Sequence, residues 1–204
     1  MRKTGLGQLQ QARPLQERAL AITEVACGPD HPYVATCLSN LALILGALGH
    51  PEQARPLLER ALAIDEAAYG PDHPDAARDL NNLANILHAL RQPDQARPLQ
   101  ERALAIDEAA YGPDHPDVAR DLNNLAWSLR VLGQPEQARP LQERALAITE
   151  AAYGPDHPDV SARLDTLAMI LRDLGQPEQA RPLQERALAI NKARKSGRSR
   201  ADQE

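Results

Sequence analysis

The side chains with an evident capacity for chemistry are histidines, carboxylates and two cysteines. His31, His73, His115 and His157 each stand in a GPDHP motif whose copies begin at Gly28, Gly70, Gly112 and Gly154, so the histidines are spaced by 42 residues. If units of this length stack, successive histidines lie about two interhelical spacings of 8–10 Å apart, too far to share a metal. Their place ahead of a proline suits loop closure and helix initiation instead. His50 and His88 are isolated and read as exposed. Cys27 and Cys37 form neither a disulfide framework nor a metal pattern. Asp107-Glu108 and their counterparts read as a charged helix face, with no buried opposing carboxylate pair suited to acid–base work. The sequence holds no glycine-rich phosphate loop and no Ser or Cys nucleophile motif. We expect no catalytic residues, no metal and no cofactor.

The elements that carry these residues follow from the prolines. ARPL recurs at Ala12, Ala54, Ala96, Ala138 and Ala180, and with GPDHP and the prolines at 51, 93, 135 and 177 it accounts for all 17 prolines at a 42-residue period. Residues 51–92 and 93–134 differ at 8 of 42 positions, which points to duplication. With 35 Ala, 30 Leu and no Phe, the composition favours an all-α chain and disfavours sheet folds. One stretch begins at Pro93, with Asp94 at the positive end of the helix dipole, and ends at Gly112. Its apolar stripe is Ala96, Leu99, Ala103, Ile106 and Ala110. Pro98 falls inside it and should bend it mildly. The second stretch opens at Asp114-His115-Pro116-Asp117, where Asp114 suits a cap, and closes at Gly133, with the stripe Leu122, Leu125, Ala126, Leu129 and Leu132. Neither helix can bury its stripe alone, so neighbouring pairs must stack.

Variation between units is concentrated in the LNNLA helix. Leu43, Asn85, Trp127 and Met169 share one register; Gly46, His88, Arg130 and Arg172 another; Thr36, Arg78, Arg120 and Ala162 a third. Arg78, Asn82 and Asn85 stand at i, i+4 and i+7, on one helix face, and Arg120, Asn124 and Trp127 repeat that face one unit on. Asn40 precedes Asn82 by one period, and Arg130 follows Trp127 on its helix. Two structural roles compete with binding: the asparagines can bond between adjacent units, and Trp127 can fill space against a neighbouring helix. Asp79 and Asp121 adjoin Arg78 and Arg120 and can pair with them. Arg97 and Glu101, like Arg55 and Glu59, read as ion pairs on a solvated face.

The LNNLA–LG–A–RAL pattern resembles the tetratricopeptide repeat, and the 42-residue unit with its GPDHPDVARDLNNLA segment is similar to the kinesin light chain class of these repeats. The resemblance implies an all-α solenoid of antiparallel helix pairs, with small residues such as Ala84, Ala96 and Ala103 at the closest helix contacts. It also implies a right-handed superhelix whose LNNLA helices line a concave groove. In peptide-binding relatives, the residues matching Arg78, Asn82, Arg120 and Asn124 hold peptide carboxylates and backbone. We therefore take Asn40, Arg78, Asn82, Asn85, Arg120, Asn124, Trp127 and Arg130 as candidate peptide-binding residues.

Residues 1–8 read as the remnant of a truncated helix, 9–190 as the array of one unpaired helix and four pairs, and 191–204 as a mobile basic tail. Net charge is −5, which disfavours nucleic acid as a partner of the array. No apolar run suits a signal peptide or membrane span, so the cytoplasm is the default location. The expected function is a scaffold binding a protein or peptide segment, an acidic one by the Arg residues, without catalysis. Two alternatives stand beside it: a structural fragment that assembles end to end as a homo-oligomer, and the interaction arm of a larger bacterial regulator.

Overall fold

A computed structural model of the chain describes residues 2–201, with side chains over residues 5–194. Among the described residues there are helices and turns and no strands: α1 (Arg2–Cys27), α2 (Pro32–Ala47), α3 (Pro51–Tyr69), α4 (Pro74–Ala89), α5 (Pro93–Tyr111), α6 (Pro116–Val131), α7 (Pro135–Tyr153), α8 (Pro158–Asp173) and α9 (Pro177–Ala201). The chain divides within α5 into two compact units, Met1–Ile106 and Asp107–Glu204. In the first, α1 packs on α2, α2 on α3, α3 on α4, and α2 also touches α4. In the second, the same scheme runs from α6 through α9, with α6 also touching α8. Consecutive packing of this kind makes each unit an all-α stack of helix pairs.

Each helix from α2 onward begins with proline, whose fixed φ and missing N–H suit the first helical position. The cap before α6 is His115, not the expected Asp114: its Nδ1 accepts from the Asp117 N–H at 3.2 Å. His31, His73 and His157 do the same for α2, α4 and α8. The imidazole reaches the free amide because it stands immediately before the proline, whereas Asp114 lies one residue too far out. The ring also stacks on the tyrosine that ends the preceding helix, as in Tyr69–His73, Tyr111–His115 and Tyr153–His157 at 4.6–4.7 Å between centroids. In the first copy that tyrosine position is Cys27, and His31 instead meets Tyr33, with ring centroids 4.8 Å apart.

Alanines carry the close contacts. Ala54, Ala61, Ala84, Ala96 and Ala103 in the first unit, and Ala126, Ala138, Ala145 and Ala168 in the second, have no exposed surface. Around them Leu38, Leu58, Leu80, Leu122 and Leu164 are fully buried. The stripe expected on α5 needs one correction: Ala110 is exposed, as are Ala68 and Ala152 at the same place in α3 and α7. The buried line tilts instead toward Gln100 and Asp107, because the last turn of each such helix carries its alanine face out to solvent.

α1 runs through residue 8 without a break, and α9 carries helical backbone through residues 191–201 of the expected tail. Side chains beyond Arg194 and residues 202–204 lie outside the described residues. The prolines inside the helices, among them Pro56, Pro98 and Pro140, do not end them.

The helix ends at Gly49, Gly133 and Gly175 turn through positive φ, and at the corresponding position after α4 stands Arg91, with φ 60°. A side chain in this conformation is strained by about 1–2 kcal/mol, while glycine carries an entropic penalty of about 0.5–1 kcal/mol when ordered. Arg91→Gly should therefore stabilise the fold by up to about 1 kcal/mol, read as a higher urea midpoint with unchanged slope.

Candidate functional site

The candidate residues fall on exposed faces within each unit. In the first, α2 contributes Asn40 and α4 contributes Arg78, Asn82 and Asn85; Asn40 and Asn85 are exposed and Asn82 is half-buried. In the second, α6 brings together Arg120, Asn124, Trp127 and Arg130. Trp127 is 37% exposed, and the Arg130 guanidinium carbon lies 5.1 Å from its ring centroid. Arg130 also pairs with Asp173 on α8 at 2.6 Å, which holds it over the indole. A cation over an exposed indole adds about 0.5–1 kcal/mol and fixes the ring in place. One hydrogen bond between adjacent helices is made by the first asparagine of the motif: Asn123 Oδ1 accepts from Gln142 Nε2 at 3.2 Å.

Arg78 and Arg120 are held by this chain's own carboxylates. Arg78 lies 2.6 Å from Asp75, 3.2 Å from Asp65 and 3.6 Å from Asp79, and Arg120 lies 2.6 Å from Asp117, 3.1 Å from Asp107 and 3.3 Å from Asp121. Asp65, Asp79, Asp107 and Asp121 are buried. The expectation of no buried opposing carboxylates is thus overturned. Residues 65 and 79, like 107 and 121, come from consecutive helices and meet where those helices pack. The signal lay in comparing units: Thr23 and Cys37, Asp65 and Asp79, Asp107 and Asp121, and Thr149 and Arg163 change together.

A second contact unforeseen from the sequence recurs through the array. Arg60 pairs with Glu24 at 2.7 Å and donates to the Pro29 carbonyl; Arg102 does so with Glu66 and Pro71, Arg144 with Glu108 and Pro113, and Arg186 with Glu150 and Pro155. Each arginine clasps the end of the preceding like helix and its loop. Arg97–Glu101 and Arg55–Glu59 are the half-exposed i, i+4 pairs expected, both at 2.7 Å. His50 is exposed, while His88 is half-buried and burial lowers its pKa. Among the described residues no group of three or more His, Cys, Asp or Glu could hold a metal, and no helix is long and apolar enough to cross a membrane.

Repeated helix pairs with buried alanines and a recurring loop define a helical-repeat scaffold. The tetratricopeptide repeat pattern matches residues 3–67, 52–109, 80–151 and 122–193, and the chain belongs to that family. No curated protein matches it. Among solved structures it is similar to a Podosopora anserina kinesin light chain-like protein of nearly identical TPR-like repeats, at 28% identity, TM-score 0.78, and coverage of 96% of this chain and 92% of that one. BtubC (BKLC) from P. vanneervenii matches at 24% identity and TM-score 0.80, over 95% and 77% of the two chains. A Rap protein complexed with Competence and Sporulation Factor shares the fold at 16% identity and TM-score 0.75, over 93% of this chain and 51% of that one.

The buried carboxylates also set a pH dependence. Burial first, and then the Asp79 charge, push the Asp65 carboxyl up to about 7 against the pull of Arg78. Asp79 is raised by burial, although Ser39 Oγ, which donates to its Oδ1 at 2.8 Å, and Arg78 oppose the shift. Burial likewise raises Asp107, with Asp121 and Arg120 opposing. A carboxyl whose pKa is higher folded than unfolded favours the fold while protonated. That contribution is fully present below about pH 4 and is lost as pH rises through about 7. Asp65→Asn removes it while keeping the shape. The variant should melt a few degrees higher than the parent at pH 8, at about 2–4 °C for each kcal/mol relieved, and close to it below about pH 4.

Proposed function

We propose that the chain is a scaffold holding an extended segment of a protein or peptide partner against the polar face of α6 in the second unit, with α2 and α4 presenting a comparable face in the first, and with no catalysis of its own. The observation that carries this reading is Trp127. It is half-exposed on α6, held under Arg130, and occupies a position where Leu43, Asn85 and Met169 stand in other copies, so the fold does not require an indole there. An aromatic anchor of this kind supplies a large share of binding energy at an interface. Asn40, Asn82, Asn85 and Asn124 offer amide donors and acceptors suited to an extended backbone. Arg78 and Arg120, shared among three carboxylates each, are better matched to backbone carbonyls than to acidic side chains. Membership of the tetratricopeptide family supports a binding role, and the Rap structure containing Competence and Sporulation Factor supports the fold's suitability for holding a partner. The reading includes a cytoplasmic setting and no nucleic-acid partner, in keeping with the net charge of −5.

The test is selection from a random peptide library on the full chain, followed by affinity measurements on the selected peptides. Trp127→Ala should weaken them by about 2 kcal/mol or more, roughly thirtyfold, whereas Arg97→Ala on α5 should change little. If Arg97→Ala abolishes binding while Trp127→Ala does not, the partner does not use the α6 face and the assignment is wrong.

A second reading, self-association through α1, is favoured by one observation. Leu15, Ile22 and Val25 are 69%, 58% and 89% exposed, whereas Leu57 and Ile64, the counterparts of the first two, pack into the core. Apolar faces of this kind commonly mark interfaces. Sedimentation should then show a concentration-dependent dimer or higher stack that Leu15→Glu with Ile22→Glu disperses; a concentration-independent monomer rejects this reading.

A further inference from the structure

The last polar cluster of the second unit breaks the pattern of those before it. Where the earlier clusters hold Asp65, Arg78 and Asp79, and then Asp107, Arg120 and Asp121, the positions 42 residues further on are Thr149, Ala162 and Arg163. Two carboxylates are gone, and a guanidinium has replaced one of them. Thr149 Oγ1 donates to the Ala145 carbonyl of its own helix at 2.7 Å. Arg163 Nε is buried with no hydrogen-bond partner, and no ion pair reaches the side chain among the described residues.

Arg163 instead faces open space. It lines a cleft of about 260 Å³ together with Asp117 and Arg120 from α6, Thr149 and Tyr153 from α7, and Asp159 from α8. Arg120 and Asp117 already pair with each other at 2.6 Å, and Asp159 lies in the first turn of α8 beside the capping His157. Burial and the like charge of Arg120 make the Arg163 cation less comfortable, and Asp159 offsets only part of this. Arginine remains charged in proteins, so the cleft contains a cation whose Nε has no hydrogen-bond partner and on which Asp159 acts only through its charge.

We propose that this cleft binds a carboxylate, which pairs with Arg163 as the external counterpart of the aspartates that the two preceding clusters supply from within. A planar carboxylate matches the guanidinium fork and would supply the acceptor that Nε lacks. A phosphate dianion would face Asp117 and Asp159 across the same space and is disfavoured. The inference goes beyond a segment lying along the face of α6, since it needs neither Trp127 nor any particular partner. The carboxylate can come from an acidic side chain of a bound segment or from a small free acid.

The test uses the full chain labelled with nitrogen-15 and follows the Arg163 Nε–Hε signal, assigned by its absence in Arg163→Gln. The probes are sodium acetate, N-acetyl-Gly-Glu-Gly-amide, its Gln counterpart, and inorganic phosphate. Acetate and the Glu peptide should shift the signal saturably and the Gln peptide should not. Thr149→Asp, which reinstates the internal carboxylate, should weaken both carboxylate probes by about tenfold or more, the worth of one charge-assisted hydrogen bond. Arg181→Gln, at an exposed pair on α9, should leave them unchanged. A Glu peptide that binds more tightly than acetate identifies a peptide segment as the source, and equal binding identifies recognition of the carboxylate alone. The proposal fails if neither carboxylate probe shifts Arg163, if phosphate binds as tightly as either, or if Thr149→Asp has no effect. That variant retains Arg163 and so tests the site even if Arg163→Gln does not fold.

Discussion

The constraint on which the rest of the structure depends is that a single amphipathic helix here has no core of its own. Ala96 and Ala103 on α5, or Ala138 and Ala145 on α7, reach zero exposure only because a neighbouring helix presses against them. Small side chains let the backbones approach closely, and the large leucines fill the spaces to either side. Stability is therefore gathered pair by pair, as in other helical repeats. Polar groups at these contacts have to be satisfied where they lie, and this accounts for the buried carboxylates, the glutamine Gln142 with its two donated hydrogen bonds, and Ser39 bonded to Asp79.

The loops answer to the same constraint. A GPDHP loop must stop one helix, start the next and hold the angle between them. Glycine supplies the positive φ, proline fixes the first turn, and histidine caps it while stacking on the preceding tyrosine. The Arg102–Glu66–Pro71 clasp then ties that loop to the next like helix, so that one side chain spans three elements. Repetition makes the geometry uniform, and this frees the exposed positions of α4 and α6 to differ.

Periodicity, proline positions and buried alanines were legible in the sequence because each reports a local rule: helical spacing, a forbidden hydrogen bond, a close approach. His115 displaced Asp114 as the cap because the choice turns on a difference of one residue in reach, which residue preferences do not resolve. Ala110 was misplaced because a stripe drawn at ideal spacing ignores the tilt of neighbouring helices, and Asp107 took the buried place. The Asp65–Asp79 and Asp107–Asp121 pairs were hidden by the habit of reading acidic residues as solvated. Comparing the units with one another contained the clue, since both positions lose aspartate together at Thr149 and Arg163. The pairing of Arg78 and Arg120 with the adjoining Asp79 and Asp121 is legible in the sequence, but the third carboxylate of each cluster, Asp65 or Asp107, comes from the packing of consecutive helices.

The near-identity of the units also creates an ambiguity during folding. The clasp between Arg102 and Glu66 spans 36 residues, and the same arginine could in principle meet the equivalent glutamate one unit further away. Doubling a loop costs only about 0.6 kcal/mol in closure entropy, so proximity alone discriminates weakly between right and wrong neighbours. Departures from the consensus then act as addresses. Arg91 in place of glycine, Thr149 and Arg163 in place of aspartates, and Cys27 in place of tyrosine each make one junction chemically distinct from its copies. Erasing them in pursuit of a perfect repeat would remove the marks by which the chain tells its own segments apart and would invite exchange of helices between molecules.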